Sequence, residues 1–345
     1  MKKILVTGSE GYIGTVLISI LIENGFKVVG FDNCYFADGN LNNSKLPKYH
    51  RIKKDIRDIC LNDLKDNNFF AIVHLAALCN DSLGMINEDL TYEINYTASV
   101  KLAELAKLAG IKRFVFASSC SLYGQGGLQP LDENSSSNPQ TPYGKSKILA
   151  EKEISNLSSD KFSPVFMRNA TAFGFSPRMR FDIVVNNLSG YAKVDNEIKI
   201  LGDGKPWRPL VHVIDICRAI VTVLKANRQI IHNQAFNVGD DNENYQIKSI
   251  GDKVHNFYPE STITVSKKNC GDKRDYNVSF NKINLDLQFS VLWSLNMGIV
   301  ELKECYDSIP LTKKIFFSKK YTRLKKLIYL IENKYIDDNM RWLNI

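Results

Sequence analysis

The chain has 345 residues, 44% of them hydrophobic, and a formal net charge of +8. That length can bury a large core and allows two lobes, while the longest apolar runs, such as FFAIVHLAAL, fall short of the roughly 20 residues a membrane span needs. Seven cysteines, at 34, 60, 79, 120, 217, 270 and 305, lack CxxC spacing and do not cluster with the five histidines, which argues against a disulfide framework and a zinc site.

The start MKKILVTG has no cleavable signal pattern, so a cytoplasmic protein with reduced thiols and no bound metal is expected. Much of the basic excess sits late, in KKIFFSKKYTRLKK at 313–326, where interleaved apolar residues fit an amphipathic helix better than a nucleic-acid or membrane-surface patch. Neither nucleic acid nor membrane is therefore expected as a partner.

In chain order, the first half alternates short β-branched runs with helical patterns. KKILVTG precedes YIGTVLISILIENG; KVVGFDN, HRIKKDI and AIVHLAA follow; then EINYTASVKLAELAKLAG leads to KRFVFASS. Such βαβ alternation predicts an α/β fold of the Rossmann type, a doubly wound parallel sheet with ligands beyond the carboxyl ends of the strands. Gly8, Asp32, Ala76 and Ser119 then share one rim.

TGSEGYIG places glycines at 8, 11 and 14, with Tyr12 and Ile13 opening a helix whose N-terminus can hold a diphosphate. Asp32, ending the second strand, can accept from ribose hydroxyls and would repel a 2′-phosphate, so NAD is the expected cofactor. Asp55, followed by Ile56 in KKDIRD, is placed either to accept from the adenine amino group or to cap the next turn. Ala76 and Ala77 of HLAAL are further cofactor-contact candidates.

In TPYGKSK, Thr141 can cap a helix, Pro142 suits its first turn, and Tyr143 and Lys147 fall four apart on one face. An adjacent ammonium and an oxidised nicotinamide favour the phenolate, a base able to take a proton from a secondary alcohol. Lys147 can also hold the nicotinamide ribose.

Together TGSEGYIG, Asp32, HLAAL, SSCSLYG and YGKSK resemble the extended short-chain dehydrogenases of the NAD-dependent epimerase/dehydratase family, over residues 1 to about 310. The resemblance implies a triad of Ser119, Tyr143 and Lys147, with Asn95 supporting its proton relay at the cofactor side. It implies a nucleotide-diphosphate sugar as substrate and a homodimer formed through helices around 88–109 and 143–157. Dehydratases of the family carry Asp-Glu after the serine, where this chain has Cys120 and Ser121, so the usual elimination is disfavoured; Cys120 is a candidate acid or base, Ser121 a candidate substrate contact.

VFMRNATAFG resembles a family turn with Thr171 where Asn is usual, and VNNLSGY nominates Asn187 for the nucleotide. DGKPWRPLVHVID nominates Arg208 for the diphosphate, GDKRDYNVSF nominates Arg274, and FSPRMRFD adds Arg178. The implied organisation is a NAD-binding domain at 1–175 and 211–239, a nucleotide-sugar lobe at 176–210 and 240–310, and a basic amphipathic extension at 311–345. The apolar stripe of that extension, Leu324, Leu327, Ile328 and Ile331, predicts docking on the lobe or on a neighbouring subunit.

The expected function is NAD-dependent nucleotide-sugar 4-epimerisation by transient oxidation at C4. Its alternatives are a 4-dehydrogenase or reductase, a 3,5-epimerase using Cys120, an atypical dehydratase and a non-catalytic NAD-binding regulator.

Overall fold

A computed structural model describes residues 1–41, 46–65, 67–79, 87–127, 129–266 and 274–343; Cys270 lies outside them. Among the described residues, twelve strands and seven of the longer helices position the site. The strands are β1 (Lys3–Thr7), β2 (Lys27–Asp32), β3 (His50–Lys53), β4 (Ala71–His74), β5 (Arg113–Ser119), β6 (Ser163–Asn169), β7 (Thr171–Phe173), β8 (Glu197–Leu201), β9 (Trp207–His212), β10 (Gln234–Val238), β11 (Asn244–Gln246) and β12 (Thr262–Ser266). The helices are α1 (Tyr12–Glu23), α2 (Ala98–Leu108), α3 (Pro142–Asn156), α4 (Val184–Asp195), α5 (Val213–Lys225), α6 (Leu295–Ser308) and α7 (Arg323–Glu332).

Seven strands form one parallel sheet in the order β10-β6-β5-β4-β1-β2-β3. Its strands read as continuous apolar runs because both faces are covered, and the two-residue period divides them between two cores. Ile4, Val6, Val73, Val115 and Val165 pack on the α1 and α5 side, whereas Leu5, Ile72, Phe114, Phe116 and Phe166 pack with α2 and α3 residues on the other. The chain runs outward from β1 through β2 to β3 and then reverses to β4, which opens a crevice at the carboxyl ends of β1 and β4.

A third core gathers Phe173, Met179, Phe181, Leu188, Ile198, Leu210, Ile250, Leu295 and Leu302. It is served by the small sheets β11-β9-β7 and β12-β8. The chain crosses between the bodies repeatedly: β10 returns to the large sheet beside β6, and Phe280, Ile283 and Phe289 rejoin its core.

The C-terminal extension departs from the expected docking. Phe316 and Tyr321 enter the third core, but Leu327, Leu330, Ile336 and Met340 pack with Phe31 and Tyr35 on the large sheet's own flank. Leu324, Leu327 and Ile331 of the stripe are covered within the same chain, while Ile328 stays exposed.

Candidate active site

One cavity of about 660 Å³ runs from the carboxyl edge of the large sheet to β8 and β9, within the usual span of ligand clefts. Its wall includes Gly8, Gly11, Tyr12, Ile13, Gly14, Asp32, Asp55, Ile56, Ala76 and Ala77 at one end. Ser119, Ser121, Tyr143, Lys147 and Thr171 line it, as do Asn187, Arg208 and Arg274.

The glycine turn is built for close approach. Gly8 has φ +72°, and a Cβ there would stand 2.8 Å from the Ala76 nitrogen; a Cβ on Gly14 would stand 2.1 Å from the Gly8 carbonyl oxygen. Helix α1 begins with no side-chain cap and no acidic residue in its first turn, so its positive end is open to an anion. The Asp32 carboxylate accepts from the backbone N–H of Glu10 at 3.0 Å and of Cys34 at 2.6 Å, which fixes it at the end of β2. These residues fit a dinucleotide: a cradle free of Cβ atoms, an open helix terminus and a carboxylate one strand away.

Tyr143 and Lys147 ride on α3, whose N-cap Thr141 accepts from the Gly144 N–H at 3.2 Å. Lys147 is buried; its Nζ donates to the Ala117 carbonyl at 2.7 Å and lies 5.8 Å from the Tyr143 ring centroid. Burial pulls the ammonium down from an ordinary 10.5 to about 8, so it stays charged at neutral pH but only just. Ser119 ends β5 and caps the following short turn by accepting from the Ser121 N–H at 3.1 Å. Around it the buried Ser118 Oγ, Ser121 Oγ and Asn169 Oδ1 have no hydrogen-bond partner among the described residues, and all three residues line the cavity. Such atoms call for a polar ligand rich in hydroxyls.

Three sequence candidates do not reach the cavity wall. Cys120 faces the core: it is 1% exposed, its Sγ donates to the Arg168 carbonyl at 3.1 Å, and burial pushes the thiol far up. The expectation of a Cys120 acid or base is thereby corrected, because the Cys120–Tyr123 turn rotates the side chain inward. Arg178 is also corrected: it forms a buried pair with Glu10 at 2.6 Å, latching the glycine loop to the segment after β7. Asn95 lies buried in a π-helical turn, Glu93–Thr97, and clamps the Leu78 backbone, accepting from its N–H at 2.8 Å and donating to its carbonyl at 3.1 Å. It stands 3.4 Å from Ser146, in the layer behind the wall.

Asp55 does line the cavity, but it caps its turn and pairs through both oxygens with Arg57, at 3.0 and 2.8 Å. The expected cap is therefore formed, with the Asp55 side chain still on the cavity wall. At the far end Arg208 is 5% exposed and donates to the carbonyls of Trp207 and Arg274, which places β9 and the 274 segment side by side. Asn187 donates to the Phe181 carbonyl at 2.7 Å.

Sequence reasoning missed Arg180, Asp182 and Arg323 on the same wall. Arg180 holds Asp182 through Nε at 2.8 Å and Nη2 at 3.2 Å. PRMR offered two arginines one residue apart, and only the fold says which one faces inward. Arg323 had no local signal.

Residues 4–239 match the model of the NAD dependent epimerase/dehydratase family. A UDP-glucose 4-epimerase of Neisseria meningitidis serogroup C is 26% identical over 294 residues, covering 77% of this chain and 84% of that one. The structure of MoeE5 in complex with UDP-glucose and NAD superposes with a TM-score of 0.77 at 25% identity, covering 89% of this chain and 99% of that one. TunA, an NAD-dependent NDP-hexosamine 5,6-dehydratase, shares the fold with a TM-score of 0.77 at 19% identity and 89% and 99% coverage.

Proposed function

The chain belongs to the NAD dependent epimerase/dehydratase family, and on that premise we propose that it is a nucleotide-sugar 4-epimerase that oxidises and re-reduces one sugar carbinol. The observation that carries this reading is the set of ionisable groups on the cavity wall. Beside Ser119 stand Tyr143 and the buried Lys147, and among the described residues the lining carboxylates are Asp32, Asp55 and Asp182 alone. Asp55 and Asp182 are tied to arginines and Asp32 to the glycine loop, which leaves no acid–base pair for expelling water beside the serine among the described residues.

Bound NAD supplies the hydride acceptor and donor. The Lys147 ammonium favours the phenolate form of Tyr143, which takes the C4 hydroxyl proton and becomes the neutral phenol, while Ser119 holds the reacting sugar oxygen. The unpartnered Ser121 Oγ and Asn169 Oδ1 serve neighbouring sugar groups, with Thr171 beside them. Arg208, Arg274 and Asn187 face the nucleotide diphosphate, and a keto sugar turning about that anchor presents its other face before reduction. The helices expected at the dimer interface carry the exposed Leu108 and Leu149, consistent with a homodimer.

The purified protein should interconvert the C4 epimers of one of the UDP-, GDP-, CDP- or dTDP-hexoses, followed by NMR in heavy water, with Tyr143→Phe nearly inactive. Deuterium at C3 or C5, or loss of the C6 oxygen, would refute simple 4-epimerisation; undiminished Tyr143→Phe activity would refute the proton-transfer assignment. A 4-dehydrogenase would instead accumulate NADH in proportion to product.

A further inference from the structure

Helix α7, outside the matched family region, delivers one side chain to the dinucleotide end of the cavity. Arg323 is 2% exposed, lines the wall and stacks over Phe36 with its guanidinium 4.2 Å from the ring centroid. Its Nη2 donates to the Arg178 carbonyl at 3.1 Å, but its Nη1 is buried with no hydrogen-bond partner among the described residues. A buried guanidinium with one undonated prong is costly, and the charge of Arg180 adds repulsion. The Asp182 and Asp32 carboxylates attract it, but the Asp182 oxygens pair with Arg180 and one accepts from the Arg323 backbone N–H at 3.3 Å, and burial outweighs that attraction.

The carbonyl that Arg323 holds belongs to a segment fastened to the first turn of α1. Tyr12 donates its hydroxyl to the Gly174 carbonyl at 2.7 Å, Ser176 Oγ donates to the Tyr12 carbonyl at 2.7 Å, and the Arg178 N–H reaches Ser176 Oγ at 3.2 Å. The guanidinium is thus held two residues along the chain from the Ser176 latch on the helix terminus, where a dinucleotide places its diphosphate. A diphosphate is the anion whose charge and paired oxygens suit a planar two-pronged donor.

We propose that Arg323 of the C-terminal extension is a cofactor-binding residue that donates through Nη1 to the diphosphate of the bound dinucleotide. This rests on the NAD reading of the cavity. The extension therefore completes the cofactor site as well as covering the sheet.

The test uses the full chain freed of nucleotide, with Arg323→Met and Arg323→Lys, titrated with NADH, ADP and adenosine by fluorescence and calorimetry. Arg323→Met should weaken NADH and ADP about 10- to 100-fold, the span of one buried charge-assisted hydrogen bond, and leave adenosine within about twofold. Arg323→Lys should fall between the two. Nucleotide-free Arg323→Met should melt no lower than the parent, because it removes a buried unpaired charge. Equal losses for ADP and adenosine, or variants that bind NADH as the parent does, would overturn the inference while leaving the NAD reading intact. A parent chain that binds no NADH would overturn both.

Discussion

Lys147→Met offers the sharpest quantitative test of the candidate site. The lysine is 2% exposed, and its fall from 10.5 to about 8 arises first from burial. Below about pH 8 the lysine is charged in both folded and unfolded chains, and the full penalty applies, about 3 kcal/mol from the difference between the two values. Between about 8 and 10.5 the unfolded chain binds more protons than the folded one, so the penalty shrinks and stability from this group rises with pH. Methionine removes the penalty but forfeits the bond to the Ala117 carbonyl, a constant offset of about 1.5–3 kcal/mol.

The offset cancels when two pH values are compared. The stability difference between variant and parent should shift by about 1.3 kcal/mol in the parent's favour from pH 7 to pH 9, read by urea unfolding of the nucleotide-free chains. Turnover should meanwhile fall about 10²- to 10⁴-fold in the variant. A difference that does not move with pH would refute the reasoning, since the lysine would then not be held charged in a desolvated site.

Gly14→Ala should abolish NADH binding, measured by fluorescence, because its Cβ would meet the Gly8 carbonyl oxygen at 2.1 Å and push the turn apart. Cys120→Ala should keep turnover within about threefold and lose about 1 kcal/mol of stability in denaturant melts, as befits a small buried group. Glu151→Leu should cost about 3–5 kcal/mol by urea unfolding, since it strands the buried Arg168 that Glu151 pairs with at 2.8 Å.

Much of the dinucleotide end was readable because local chemistry dictates it. TGSEGYIG must turn without side chains and then start a helix, and TPYGKSK contains its own cap and a four-residue spacing that survives any tertiary context. Orientation beyond one turn was not readable. Cys120 and Ser121 are adjacent, yet a single short turn sends one into the core and leaves the other at the cavity. Arg178 and Arg180 have the same chemistry, and which of them meets Glu10 depends on how the segment after β7 crosses α1. The extension showed its amphipathic stripe but not its destination, because an apolar stripe specifies that it will be covered and not by what.

That destination ties the two ends of the chain together. Trp342 Nε1 donates to the Asn33 carbonyl at 2.7 Å, Tyr35 donates to the Met340 carbonyl, and Arg57 donates to the carbonyl of Asn339 at 2.9 Å. The partners of the loop after β2 lie 305 and 309 residues further along the chain. Synthesis from the amino end can therefore lay down most of the parallel sheet early, but the rim beside Asp32 reaches its final packing only once residues 339–342 have been made. A chain interrupted before Asn339 would keep its glycine turn and its tyrosine while leaving that rim unsealed.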